Sequence, residues 1–354
     1  MFNLYTQFFN LMNKDNIILG IESSCDDTSA AILINGLICS NVIANQSIHE
    51  AYGGVVPELA SRAHQENIVP VIDQALKQAQ ITIKDINAVA FTRGPGLLGS
   101  LLVGTSFAKS LALALEIPLL DVHHMKAHIH AHFIKTKETI NKSVPNFPFL
   151  CLTVSGGHTQ IVLVESPLKM EIIGETLDDA VGEAFDKAAK VIGLNYPGGP
   201  LIDRLAQNGN QNAFQFTFPK VGELNYSFSG LKTQFLNFIN KEKSKDKEFL
   251  KNRINDVCAS YQKHLINYLL LNFEKAMIKY SIKDIAIAGG VSANSELRKS
   301  LNQLGDKYLC NVHIPDFEYC TDNAAMIAMS GQFLLENKTY ADQGISPLSR
   351  MNMD

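Results

Sequence analysis

The chain repeats itself, and that repetition narrows the folds open to it more than any other feature. Ile83-Lys84-Asp85-Ile86-Asn87-Ala88-Val89-Ala90 runs into a glycine-rich loop, Arg93-Gly94-Pro95-Gly96. Ile282-Lys283-Asp284-Ile285-Ala286-Ile287-Ala288 later runs into Gly289-Gly290-Val291-Ser292-Ala293-Asn294. Both read as strand, glycine loop, helix. A second echo accompanies the first. Ile17 to Glu22 is an apolar strand, Ser23 to Ser29 a small polar turn, and Ala30 to Ile34 a return strand. Phe149 to Val154, Ser155 to Gln160 and Ile161 to Glu165 give the same three parts. Asn35-Gly36 then makes a hairpin turn into a third strand, Leu37 to Ile43. Two halves with the same order of parts predict a duplicated α/β fold. In such folds ligands lie where strand ends and glycine loops face one cleft.

The loops suggest what such a ligand is. Glycine lets the backbone approach a phosphate, and the helix that follows offers free N–H donors. Neither loop ends in the Gly-Lys-Ser/Thr of a P-loop, so tight packing is the alternative for each. The small polar turn at Ser23 to Ser29 suits a phosphate or its metal, and suits solvent equally well. The helix after Gly96 is apolar and ends near Glu116.

A histidine segment stands apart from the repeat. His123-His124-Met125-Lys126-Ala127-His128 follows a short strand, Pro118 to Val122, and opens a run that reads as helix through Phe133. Five of the ten histidines fall between 123 and 132, so they are not evenly scattered. Residues four apart share a helix face, which stacks His124 on His128 and His128 on His132. Two stacked imidazoles suit one transition metal ion. The plainer alternative is a polar face rich in histidine. A zinc protease of the H-E-x-x-H type needs Glu after its first ligand, and Met125 cannot take a proton.

Two carboxylate groups carry similar alternatives. Cys320-Thr321-Asp322-Asn323 precedes an apolar helix, for which Thr321 or Asp322 is a natural N-cap. A carboxylate there can instead complete a His-His-Asp metal site with open positions. On a helix expected from Leu177 to Ile192, Asp179, Glu183 and Asp186 fall at i, i+4 and i+7, on one face. With Lys187 and Lys190 that face also reads as simply solvated. Tyr196-Pro197-Gly198-Gly199-Pro200 then breaks the chain, and Asp203 follows at the next helix start.

A chain of 354 residues suffices for two domains with cores, and 46% hydrophobic with 19% charged residues is ordinary for a globular protein. A net charge of −4 gives no overall attraction to nucleic acid, so RNA binding needs a local patch or a partner. Six cysteines without a C-x-x-C pair read as buried, reduced thiols of a cytosolic protein. No apolar run reaches about 18 residues, so no membrane span is expected. Residues 1–16 read as an extension, disordered or loosely docked, with Met12 as an alternative start; they match neither a signal nor a transit peptide. Residues 201–256 are the least regular and read as an insertion in the second half. Within them, Lys241 to Glu248 is a mixed-charge run, a solvated loop or helix.

The motifs together resemble the TsaD (Gcp) family of tRNA adenosine threonylcarbamoyltransferases. The match is carried by Gly20-Ile21-Glu22-Ser23-Ser24-Cys25-Asp26-Asp27-Thr28, Tyr52 to Arg62, Gly94-Pro95-Gly96, the histidine segment from His123, and Val154-Ser155-Gly156-Gly157-His158-Thr159. It continues through Gly182 to Lys187, Tyr196 to Pro200, Phe228 to Lys232, Gly289 to Asn294 and Cys320 to Asn323, in order over nearly all of residues 17–335. The N-terminal extension and the stretch around 236–255 match no family motif.

The resemblance implies an actin-like, two-half ATPase-type fold around a central cleft, here residues 17–133 and 146–354. It implies a metal held by His124, His128 and Asp322, taken as one Fe2+ per subunit with Zn2+ as the alternative. It puts substrate binding on Thr153, Val154, Ser155, Gly156, Gly157, Asp186, Gly199, Asp203 and Asn294, around an adenylate- or ATP-type nucleotide with Mg2+ as an optional companion. The implied reaction moves threonylcarbamoyl from threonylcarbamoyl-adenylate to the exocyclic amine of the adenosine 3′ of the anticodon, in tRNAs reading codons that begin with A, and releases AMP. No general base is evident. Implied partners are tRNA, a TsaB-like paralogue and a TsaE-like ATPase, in the cytoplasm. The rival readings are an actin-like ATPase or sugar kinase, and a regulatory nucleotide-binding module.

Overall fold

Six consecutive buried residues, Ile17–Glu22, form strand β1, which is covered on both faces. It pairs antiparallel with β2 (Thr28–Ile34), and β2 pairs antiparallel with β3 (Leu37–Ala44). The expected Asn35-Gly36 turn joins these two, with φ of 51° and 84°, the left-handed pair that a tight hairpin requires. Helix α1 (Pro57–Ala79) leads to β4 (Ala88–Gly94), parallel to β1. Helix α2 (Leu98–Leu115) then crosses over to β5 (Leu119–His123), parallel to β4, and α3 (His124–His130) follows directly. The sheet order is β3-β2-β1-β4-β5. These statements come from a computed structural model that describes residues 15–46, 49, 52–219 and 221–353.

The second sheet repeats the first. β6 (Phe149–Val154), β7 (Thr159–Val164) and β8 (Met170–Glu175) form the antiparallel part. Four helices follow: α4 (Val181–Val191), α5 (Gly198–Ala206), α6 (Ser229–Lys245) and α7 (Phe249–Tyr280). β9 (Asp284–Ala288) lies parallel to β6, and after α8 (Ser295–Tyr308), β10 (Asn311–His313) lies parallel to β9. The order β8-β7-β6-β9-β10 and the sense of every pairing match the first sheet. The duplication read from the two echoes is therefore a duplication of topology.

The chain divides into two compact units, and the division departs from the sequence reading of 17–133 and 146–354. The first unit takes residues 1–45, 57–142 and 323–351; the second takes 46–56, 143–322 and 352–354. The last helix, α9 (Ala324–Glu336), packs on β1, β2 and β4 of the first sheet. The alternation along β1 explains this. Ile17, Leu19 and Ile21 join the core made with Ile68, Val71 and Ile72 of α1 and with Ala108 and Ala112 of α2. The intervening Ile18 and Gly20 face the other way, and α9 covers them. A Cβ on Gly20 would stand 2.5 Å from the carbonyl oxygen of Ala324 and 2.7 Å from the amide nitrogen of Ala328, so helix backbone rests directly on strand backbone.

Several local expectations change. Among the described residues, Leu98–Leu115 is long and apolar enough to cross a membrane by length and composition, although no such run was expected. The single Lys109 hides it from a search for unbroken apolar runs; in the fold it packs against α1 and β4. Residues 236–255 are mostly helix. The mixed-charge run ends α6 and turns into α7, with Lys245 paired to Glu242 and Lys251 to Glu248 at the surface. Beneath it, Phe214 and Phe216 close on Phe238, Phe249 and Tyr261. No disulfide joins the six cysteines; Cys151, Cys258 and Cys320 are buried, while Cys25, Cys39 and Cys310 are partly exposed. Of the expected N-terminal extension, residues 1–14 lie outside the described residues.

Candidate metal centre and ligand cavity

Strand β5 delivers the histidine segment, and each member there has its own task. His123 caps α3: its Nδ1 accepts from the backbone N–H of Met125 (3.2 Å) and Lys126 (3.4 Å). Its Nε2 lies 3.1 Å from the carbonyl oxygen of Met351. His130 meets the Ser330 hydroxyl at 2.8 Å and lies against the Phe333 ring. His124 and His128 are neighbours one turn apart, as the spacing predicts, and meet edge to face, with ring centroids 4.7 Å apart and planes at 83°. The helix expected through Phe133 changes type before its end: the α-helix stops at His130 and the chain tightens into a 3-10 turn over Ala131–Phe133.

Behind His124 stands Glu22, a residue the sequence reading quoted only as part of a motif. It is completely buried at the end of β1. One oxygen accepts from the Ser24 amide at 2.5 Å; the other accepts from the Thr92 hydroxyl at 2.6 Å and lies 3.0 Å from His124 Nδ1. Paired with Glu22 as a carboxylate, which only accepts, Nδ1 would carry the proton and Nε2 would keep its lone pair for a ligand's role. Such outer carboxylates set the orientation and basicity of metal-binding imidazoles. Glu22→Gln should therefore weaken transition-metal binding about tenfold or more, measured by competition with a chromogenic chelator. Unchanged affinity would reduce Glu22 to a core hydrogen-bonding residue.

The expectation that Thr321 or Asp322 caps the last helix is corrected. Asn323 is the cap, its Oδ1 accepting from the Met326 amide at 3.0 Å. Asp322 does not fill the cap position itself. It is joined by one peptide bond to Asn323 of the first unit. His124, His128 and Asp322 each offer one ligand atom, and the three atoms lie within 4.8 Å of one another. Two neutral nitrogens and one carboxylate oxygen fit a first-row divalent ion and leave coordination positions open. The donor set and the Glu22 support behind it together fit a transition metal.

In the second unit a cavity of about 290 Å3 brings together five of the nine residues named for substrate binding: Gly156, Asp186, Gly199, Asp203 and Asn294. The other four line up differently. Thr153 and Val154 are buried at the end of β6, Thr153 donating to the Gln160 carbonyl. Ser155 organises the β6–β7 turn, its hydroxyl accepting from the amides of Gly157 and His158. Gly289 explains why this turn meets the second glycine loop. It sits at φ +87°, and a Cβ there would lie 2.5 Å from the Val154 carbonyl oxygen, so both conformation and space require glycine.

The acidic face resolves into separate parts. Helix α4 starts at Val181, four residues later than expected, so Asp179 precedes it. Asp179 and Glu183 both hold Lys187, as the solvated reading supposed. Asp186 turns inward instead, and its Oδ1 accepts from the amides of Gly198 (2.8 Å) and Gly199 (3.3 Å) at the start of α5. Burial pushes its carboxyl above the usual range, against the pull of those two N–H groups. Asp203 and Asn294 share a network that the sequence reading missed. Asp203 accepts from Gln262 (3.0 Å) and from the Ser295 hydroxyl (2.6 Å), while Asn294 donates to Gln262 (2.8 Å) and caps α8. Gln262 lies mid-helix among apolar residues, where no motif marks it.

Comparison with known proteins follows from this geometry. A family model described as TsaD, tRNA N6-adenosine threonylcarbamoyltransferase, matches residues 37–329. A protein of that name from Riemerella anatipestifer is 58% identical over 96% of this chain and 99% of its own. One from Christiangramia forsetii is 58% identical over 94% and 97%, and one from Porphyromonas gingivalis 54% over 97% and 100%. Among solved structures, a full-length HypF in phosphate- and nucleotide-bound form is similar at a TM-score of 0.60 and 14% identity. HypF of T. kodakarensis is similar at 0.61 and 14%. This chain spans about half of each HypF chain (48%), and the likeness concerns the fold, which is of the actin-like type.

Proposed function

Because the chain belongs to the TsaD family, we propose that it transfers a threonylcarbamoyl group to the exocyclic amine of the adenosine 3′ of the anticodon, in tRNAs reading codons that begin with A. The donor is threonylcarbamoyl-adenylate. A bond forms between N6 and the carbamoyl carbon, the carbon–oxygen bond to the phosphate breaks, N6 loses a proton and AMP leaves. The His124–His128–Asp322 group supports this reading best, since an actin-like kinase or ATPase needs no pair of adjacent imidazoles beside a carboxylate. When bound there, a divalent transition ion, Fe2+ or Zn2+, supplies Lewis-acid polarisation of the donor's carbonyl.

The chain's own residues bind and orient. His124 presents Nε2 because Glu22 holds Nδ1. In the cavity, Gly156 and Gly290 leave backbone open to the adenylate's phosphate, and Asp186 and Asp203 stand at the lining as acceptors for ribose hydroxyls. The reading assigns no general base, so positioning supplies most of the acceleration. It includes tRNA, a TsaB-like paralogue and a TsaE-like ATPase as partners and the cytoplasm as the compartment; Mg2+ accompanies the nucleotide only where ATP binds.

Asp186→Ala should weaken binding of AMP by about 1–3 kcal/mol in calorimetry, the range for a lost hydrogen bond to a charged group. Asp186→Asn, which keeps an acceptor for the Gly198 amide, should lose less. Equal affinity in all three proteins would return Asp186 to a purely structural role. The function itself is tested by supplying the adenylate donor, unmodified tRNA and the partner proteins, with and without this chain. Modified adenosine should form only with it. ATP hydrolysis without modified adenosine would favour the ATPase reading.

A further inference from the structure

Asp322 lies outside any helix or strand, in the bend between a 3-10 turn (Phe317–Tyr319) and Asn323. A ligand on such a segment needs something to fix it. Arg298 reaches that segment from the helix that follows the glycine loop. Arg298, on the first turn of α8, gives its Nε–H to the Ser292 carbonyl at 2.8 Å. Its Nη2 reaches the Pro315 carbonyl at 2.8 Å and the Cys320 sulfur at 3.1 Å. The guanidinium carbon also lies over the Phe317 ring, 3.9 Å from its centroid. Cys320 is completely buried. Both chain segments that flank the guanidinium thus belong to sites already described: Ser292 to the glycine loop that lines the cavity, Cys320 to the approach to Asp322.

We propose that Arg298 is a positioning residue for the metal centre, locking the 315–320 segment to the glycine loop so that Asp322 is presented at a fixed distance from the two histidines. The proposal rests on the metal reading above. Its chemistry is specific to arginine. A planar fork bridges acceptors on two sides and stacks on a ring at once, and it stays charged at every relevant pH. Lysine supplies the charge as a point and cannot do both.

The test uses the full-length protein loaded with Co2+, whose visible spectrum reports its ligands. Release of Co2+ into excess chelator is followed for the wild type, Arg298→Lys, Arg298→Met, Cys320→Ala and Asp322→Asn, and the unfolding of each apoprotein is followed separately. Both Arg298 variants should release Co2+ about tenfold faster or more, with an altered spectrum. Cys320→Ala, which removes one of three acceptors, should show a smaller acceleration. If Arg298→Met does not fold, Arg298→Lys decides. Wild-type release and spectrum in the folded Arg298 variants, whatever their melting temperatures, overturn the proposal. If Asp322→Asn itself keeps Co2+ like the wild type, the failure lies instead with the metal reading, and the two failures are told apart.

Discussion

Asp322→Asn protein should purify with less than about a tenth of the wild-type transition metal, while its apo form melts close to the wild type. Asparagine has nearly the shape of aspartate but no charge, and a neutral amide oxygen is a far weaker partner for a divalent ion than a carboxylate. The fold predicts little penalty. The cap of the last helix is Asn323, whose Oδ1 accepts from the Met326 amide, so the substitution leaves that cap bond in place. A change in apo stability near 1 kcal/mol, the usual scale of a lost cap, would mean that Asp322 shares the capping role. Full metal content by elemental analysis would remove Asp322 from the centre. His128→Ala should lose metal as completely, whereas His132→Ala should keep it, because only His124 and His128 join Asp322 in the cluster.

Gly20→Val should be strongly destabilising while leaving the three metal-cluster residues in place. A Cβ at this position would lie 2.5 Å and 2.7 Å from backbone atoms of α9, which cannot swing aside as a side chain can. The helix must lift from β1. Overpacking of this kind costs typically 1–3 kcal/mol and sometimes more. A loss of about 3 kcal/mol corresponds to a fall in Tm of roughly 10 °C for a unit of this size. Ile18→Val, on the same face, loses a single methylene and should cost about 1 kcal/mol. If the two variants melt together, the close contact of α9 with β1 is not a constraint on stability.

What the sequence disclosed and what it hid follow from the range of the interactions concerned. The repeated strand order was legible because alternation and glycine loops are local signals, and the topology matches them strand for strand. The pairing of His124 with His128 was legible for the same reason, a single helical turn. Glu22 was not, because its partnership with His124 spans 102 positions and the residue sits at the end of an otherwise apolar strand. Gln262 and Arg298 were hidden likewise: their partners lie on other elements, and each looks like an ordinary polar residue on a helix. The capping error at Asp322 came from proximity. Two adjacent polar residues both satisfy the pattern for an N-cap, and only backbone geometry distinguishes them.

The order in which the chain is written has a consequence for its synthesis. The first unit needs residues 323–351 to cover the second face of its sheet, yet those residues follow nearly all of the second unit in the chain and are synthesised after it. Until then β1 shows Ile18 and the bare backbone of Gly20 to whatever is nearby. The second unit, drawn largely from residues 143–322, is complete earlier and can fold while the first waits. Asp322 emerges immediately ahead of the helix that closes the first sheet, so the third residue of the metal cluster and that helix become available together. A product stalled before residue 322 would thus carry both histidines, no third ligand and an open sheet face, a species for chaperones rather than for catalysis.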